Sequence, residues 1–129
     1  MNIGISIYLG TGLKQNLEIL KKAKAAKVSL AFTSLQIPEE KVMDYEKEIK
    51  NLLEKCKEYS IQLIADASPV TVKKLSCNTI EELKTWGITS IRVDYGYSPE
   101  EVARLSKTFQ IVLNASTITA NDIQDWKNA

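Results

Sequence analysis

Three apolar runs in this chain each end on a polar residue: Leu63-Ile64-Ala65-Asp66, Ile91-Arg92-Val93-Asp94 and Ile111-Val112-Leu113-Asn114. Each is followed by a turn and a helical pattern. Strands of parallel sheets are covered on both faces and read as short, nearly continuous apolar stretches, and their ligand-facing groups gather where the strands end. The repeat therefore limits the chain to an α/β architecture and says where on it a site belongs.

Two more units precede these three. Ile3 to Leu9 reads as a first strand, followed by Leu13, Leu17, Leu20 and Ala23 at helical spacing; Val28 to Thr33 reads as a second strand. Tyr45, Ile49, Leu52, Leu53, Cys56 and Tyr59 then form the apolar stripe of a helix whose other faces carry Glu46, Lys47, Lys50, Glu54 and Lys55. Strands are expected at Ile61 to Asp66, Ser90 to Asp94 and Phe109 to Asn114. Thr79-Ile80-Glu81-Glu82 and Ser98-Pro99-Glu100-Glu101 both fit a capping box, the second with proline at the first helical position, and Gly87 stops the helix that carries Trp86. Ser68-Pro69 after Asp66 repeats the arrangement of Ser98-Pro99 after Asp94.

Strand and helix thus alternate strictly, with no signal for an antiparallel hairpin. Right-handed crossovers leave two solutions, an open doubly wound sheet or part of an eight-stranded barrel. The chain has no GxGxxG, only Gly10-Thr11-Gly12, which serves either as a flexible turn or as a backbone N–H contact to an anionic substrate. The expectation is a single α/β domain over residues 1–129, a partial TIM (β/α)8-type barrel of about five parallel strands alternating with helices.

Composition narrows the chemistry. Of 129 residues, 44% are hydrophobic and 26% charged, enough for one core, and 17 basic against 16 acidic residues leave a net charge of +1. No strong field draws the chain to nucleic acid or to an anionic membrane. No apolar stretch approaches the ~20 residues that span a bilayer, and the N-terminus lacks the features of a signal peptide. Cys56 and Cys77 have no metal-binding or disulfide spacing and read as free thiols in a reducing compartment, so a cytoplasmic protein is expected. With 0 histidines, Ser-His-Asp and Cys-His nucleophile systems and histidine zinc sites are excluded within this chain. No metal or cofactor is expected, and acid-base chemistry falls to carboxylates or to a lysine, tyrosine or cysteine with an altered pKa.

Tyr8, Thr33, Asp66, Asp94 and Asn114 occupy corresponding positions near the five strand ends, an arc of polar groups around one mouth. Arg92 and Asp94, two apart on a strand, share a face. Carboxylates on adjacent strands ~4.8 Å apart are expected roughly 5–7 Å from each other, the separation that paired carboxylates use in glycoside hydrolysis. Three of these also have a structural alternative: Asp66 binding the next turn or a neighbouring arginine, Asp94 pairing with Arg92, and Asn114 with Ser116 and Thr117 capping a helix. No lysine stands at a strand end, which speaks against a Schiff-base aldolase.

The segments Ile7-Tyr8-Leu9-Gly10, Phe32-Thr33-Ser34-Leu35-Gln36-Ile37-Pro38-Glu39, Asp66-Ala67-Ser68-Pro69, Arg92-Val93-Asp94-Tyr95-Gly96-Tyr97-Ser98-Pro99-Glu100 and Leu113-Asn114-Ala115-Ser116-Thr117-Ile118-Thr119 resemble the 6-phospho-N-acetylmuramidase family, long described as outer-surface-protein-like barrels. The resemblance implies a cytoplasmic bacterial enzyme, with an N-terminal TIM barrel and a C-terminal cyclophilin-like domain. It would cleave a 6-phosphorylated N-acetylmuramic acid–N-acetylglucosamine disaccharide in cell-wall recycling. Asp66 and Asp94 are the matching acids and Asn114 the matching amide; from their position at the strand ends, Asp66 and Asp94 are the catalytic candidates, and Tyr8, Thr33, Arg92 and Asn114 the substrate-binding ones. Two departures stand out: Leu35-Gln36-Ile37-Pro38 lacks the histidine common in the family, and the chain stops after the fifth unit, short of the later strands and the second domain. A catalytically inactive fragment that self-associates through open strand edges is the alternative from another class, and another phosphosugar-acting barrel enzyme is a third.

Overall fold

The computed structural model describes residues 3–35, 44–93 and 97–113. Five strands, β1 (Gly4–Ser6), β2 (Leu30–Ser34), β3 (Gln62–Asp66), β4 (Ser90–Val93) and β5 (Gln110–Leu113), form one parallel sheet in the order β1-β2-β3-β4-β5. Helices α1 (Leu13–Ala25), α2 (Tyr45–Glu58), α3 (Pro69–Leu75), α4 (Glu82–Thr85) and α5 (Pro99–Leu105) lie between them. Strand order decides between the two candidate architectures. A doubly wound sheet reverses direction at a switch point, whereas a (β/α)8 barrel adds each strand on the same side of the last. The sequential order is that of a barrel wall, and the parallel α/β expectation holds.

Pairing register sorts the strand residues into two faces. Gly4 pairs with Leu30 and Ser6 with Phe32; Phe32 pairs with Ile64, Thr33 with Ala65 and Ser34 with Asp66; Asp66 pairs with Arg92, and Arg92 with Val112. Alternation then places Ile5, Ile7, Ala31, Thr33, Leu35, Leu63, Ala65, Ile91 and Val93 against the helices. Most of these are fully buried and join Leu20, Ala23, Ile49, Leu52, Cys56, Leu83 and Leu105 in the core. Each such aliphatic contributes about 1.5–3 kcal/mol by leaving water. The opposite, inner face carries Gly4, Ser6, Leu30, Phe32, Ser34, Gln62, Ile64, Asp66, Ser90, Arg92, Gln110 and Val112. It is the more polar of the two, as a face lining a barrel's interior and mouth has to be if it is to meet a ligand.

Local chemistry explains most element ends. The Asp44 carboxylate accepts from the Lys47 N–H at the start of α2. At α5 the Ser98 hydroxyl accepts from Glu101 N–H and Glu101 accepts from Ser98 N–H, both at 3.2 Å, so that capping box forms as its sequence reads. The Thr79 box does not: α4 begins only at Glu82, and the Glu82 carboxylate accepts from Asn78 N–H at 3.1 Å. The first strand is also shorter than its apolar pattern suggested. Leu9–Thr11 curl into a 3-10 turn, and Gly12 takes φ +97°, a conformation that favours glycine, to start α1.

Candidate active site

Adjacent parallel strands bring Asp66, the last residue of β3, level with Arg92 on β4. Both side chains lie on the inner face and meet as a fork: Arg92 Nε donates to Asp66 Oδ1 at 2.6 Å, and an Nη donates to Oδ2 at 2.8 Å. Asp66 is 15% exposed and Arg92 30%, so the pair is partly withdrawn from water. Such planar bidentate pairing is the strongest form of a side-chain ion pair and fixes both groups in orientation as well as distance. The guanidinium also lies over the Phe32 ring, 4.2 Å from its centroid, held by the ring's negative face. Asp66 takes two of the five guanidinium N–H donors, which leaves three for other partners.

Nearer the strand starts the same face is tied together by side-chain amides. Gln62 Nε2 donates to Ser90 Oγ at 2.9 Å and to Gln110 Oε1 at 3.3 Å, and the Ser90 hydroxyl donates to Gln110 Oε1 at 3.1 Å. This network spans β3, β4 and β5 and keeps the polar strand starts paired, leaving the carboxyl ends of the strands as the part of the face that carries charge.

Of the residues singled out from sequence, Tyr8 shares the parity of Ser6 and so belongs to the inner face, beyond the end of β1. Its side chain is 45% exposed, and its carbonyl accepts from Asn16 Nδ2 at 2.9 Å, which ties the end of β1 to α1. Thr33 is not where the polar arc required it. It pairs with Ala65, points into the helix layer, is 0% exposed, and its hydroxyl has no hydrogen-bond partner among the described residues. Ser34 is the residue level with Asp66 on β2. The strand runs one residue further than its apolar pattern indicated, and one residue of slip moves a side chain to the other face. Asp94 and Asn114 lie outside the described residues.

Neither cysteine is built for nucleophilic chemistry. Cys56 is buried among core residues, and burial pushes its thiol up to about 11. Burial, reinforced by Glu82, does the same to Cys77. Among the described residues no cluster of histidine, cysteine or carboxylate side chains could hold a metal ion, and no helix is long and apolar enough to cross a membrane. A groove of about 520 Å³ runs between α2, α3 and α4, lined by Asp44, Tyr45, Glu46, Lys74, Glu82 and Trp86. It lies in the helix layer, away from the inner face.

Comparison with solved structures places this geometry among barrels. A conserved protein of unknown function from Enterococcus faecalis superposes with a TM-score of 0.75 at 31% identity, over 99% of this chain and 36% of its own length. A structure described as CpGH84B matches with a TM-score of 0.58 at 12% identity, over 95% of this chain and 31% of its own. A point mutant of Thermobaculum terrenum O-GlcNAc hydrolase matches with a TM-score of 0.52 at 14% identity, over 87% of this chain and 34% of its own. The last two establish the TIM-barrel fold and nothing finer. The chain spans about a third of the length of these structures. Comparison with curated proteins gives no match. A family model described as the N-terminal part of 6-phospho-N-acetylmuramidase matches residues 3–129, nearly the whole chain, and the protein therefore belongs to that family and is a glycoside hydrolase-like domain.

Proposed function

We propose that this domain contributes the carboxylate half of a hydrolytic site that cleaves a 6-phosphorylated N-acetylmuramic acid–N-acetylglucosamine disaccharide in the recycling of bacterial cell wall, in the cytoplasm. The observation that carries the reading is the Asp66–Arg92 fork at the carboxyl ends of β3 and β4, where a barrel keeps its active site.

Glycoside cleavage needs a proton donor to the leaving oxygen and a second carboxylate, or the substrate's own acetamido group, to meet the positive charge that develops at the sugar carbon. In the fork both Asp66 oxygens accept N–H bonds. Held in place by the two N–H donors of Arg92, Asp66 takes the charge-stabilising role in this reading, and Asp94, two residues beyond Arg92, the proton-transferring one. The remaining Arg92 donors suit an anionic group of the substrate, its phosphate or its lactyl carboxylate. Tyr8 and Asn114 are assigned to sugar hydroxyls. Thr33 has no part in this reading, and Ser34 takes its place on the inner face.

The test is release of the two sugars from the phosphorylated disaccharide. It is run on this chain and on a full-length relative such as the E. faecalis protein, each with the aspartate at the position of Asp94 changed to asparagine. Loss of an acid-base group lowers the rate by about 10²–10⁴-fold. A full-length relative that keeps its rate after this change overturns the assignment.

A further inference from the structure

We propose that Gly4 and Phe32 are positioning residues for the Asp66–Arg92 fork, an inference that rests on the reading of that fork as part of the hydrolytic site. The contacts link residues of four neighbouring strands, Gly4 on β1, Phe32 on β2, Asp66 on β3 and Arg92 on β4. A Cβ on Gly4 would stand 2.5 Å from Phe32 Cε2 and 3.1 Å from Cδ2, so the ring lies over β1 in space that only glycine leaves open. The same ring carries the Arg92 guanidinium at 4.2 Å, and the guanidinium in turn grips both oxygens of Asp66.

Arg92 starts on β4, and its side chain reaches back past β3 to stand over a ring from β2. A long arginine side chain has several rotamers of similar energy. What selects one here is the pair of fixed partners, ring below and carboxylate beside. Phe32 has its own freedom removed by the floor that Gly4 provides. The spacing in the sequence matches this use: Ile3, Ile5 and Ile7 alternate with Gly4 and Ser6, so one face of β1 is apolar and the other nearly flat. Gly4 thus acts through Phe32 and Arg92 on the carboxylate that faces the substrate. A reacting group misplaced by about 1 Å is enough to cost around a hundredfold in rate.

The test uses Gly4→Ala, Phe32→Leu, the double variant and Phe32→Tyr, in the disaccharide assay and by NMR of the Arg92 Nε–H group. Stacking over a ring shifts that resonance upfield, and the bond to Asp66 protects it from exchange. The expected result is that Gly4→Ala and Phe32→Leu each move the resonance to about the same new position and lower kcat by about 10–100-fold. KM should stay within about threefold, the double variant should be no worse than Phe32→Leu, and Phe32→Tyr should keep wild-type behaviour. Phe32→Leu removes the ring without adding an atom at Gly4, so the inference stays testable if Gly4→Ala fails to fold. An unmoved Arg92 resonance in Phe32→Leu overturns the positioning role, and so does a double variant whose two losses simply add. The disaccharide assay is run on a full-length relative carrying the same substitutions; if the resonances move as expected there and no hydrolytic activity is found, the positioning stands and the assigned reaction fails.

Discussion

Replacing Arg92 with methionine while Asp66 stays in place isolates what the fork does for the fold. Methionine keeps much of the stem's volume over Phe32 and removes the charge. A fully exposed pair is worth about 0.2–1 kcal/mol, because water solvates both ions nearly as well apart as together. Breaking a fully buried pair by deleting one partner costs about 3–5 kcal/mol, because the other ion is left without water or a counter-charge. Asp66 at 15% exposure lies closer to the second case, and the arginine at 30% tempers it. Arg92→Met should therefore destabilise the protein by about 2–3 kcal/mol, with about 0.5–1 kcal/mol of that from the lost stack on Phe32. Asp66→Asn keeps the shape but leaves Arg92 without its anion, and should cost about 1–2 kcal/mol. The double variant no longer contains an unpaired ion, so its loss should fall short of the sum by about 1–2 kcal/mol. Urea titrations of the four proteins measure that coupling, provided the slope m is the same for all. Losses that add to within about 0.5 kcal/mol would refute the claim that the fork is an energetically coupled unit.

Other consequences follow from single groups. Thr33→Val removes a buried hydroxyl that has no partner among the described residues, so stability should hold or rise by up to about 1 kcal/mol in the same titration; a loss larger than that would mean the hydroxyl is bonded. Ser98→Ala breaks the capping box of α5 and should cost about 0.5–2 kcal/mol, with Ser106→Ala near the other end of the helix as a control. Cys56 carries a thiol raised from 9.0 to about 11 by burial. Folding therefore disfavours its thiolate, a contribution to stability that is whole below the unfolded value and is lost as pH rises from 9.0 towards about 11. Native protein should resist thiol labelling at Cys56 at pH 8 until denaturant is added, and rapid labelling without denaturant would contradict its burial.

The architecture was legible because parallel strands carry their signature in one dimension. Leu63-Ile64-Ala65-Asp66 and Ile91-Arg92-Val93-Asp94 announce strand, end and turn without reference to anything distant. The side of the sheet each polar residue faces was harder to read. In Leu30-Ala31-Phe32-Thr33-Ser34-Leu35 two polar residues are adjacent, and only the pairing of Ser34 with Asp66 settles that Thr33 belongs to the helix layer. The Asp66–Arg92 partnership was one of several open to that carboxylate, since a sequence does not state the register between strands 26 residues apart. Gly4 carries no signal of its own in the sequence. A small residue in a strand gains meaning only from the side chain that lies on it, here Phe32 from the neighbouring strand. The Thr79 box failed for a related reason: the motif fits the first turn of a helix, but the chain there remains in turns until Glu82.

The most direct test of a hydrolytic site at the strand ends is a crystal structure of an Asp94→Asn full-length protein soaked with the intact phosphorylated disaccharide. The account predicts sugar density over the carboxyl ends of β3 and β4, an anionic group within hydrogen-bond reach of Arg92, and the Asp66–Arg92 fork unchanged beneath it. Density in the groove between α2, α3 and α4, with the strand ends empty, would contradict it.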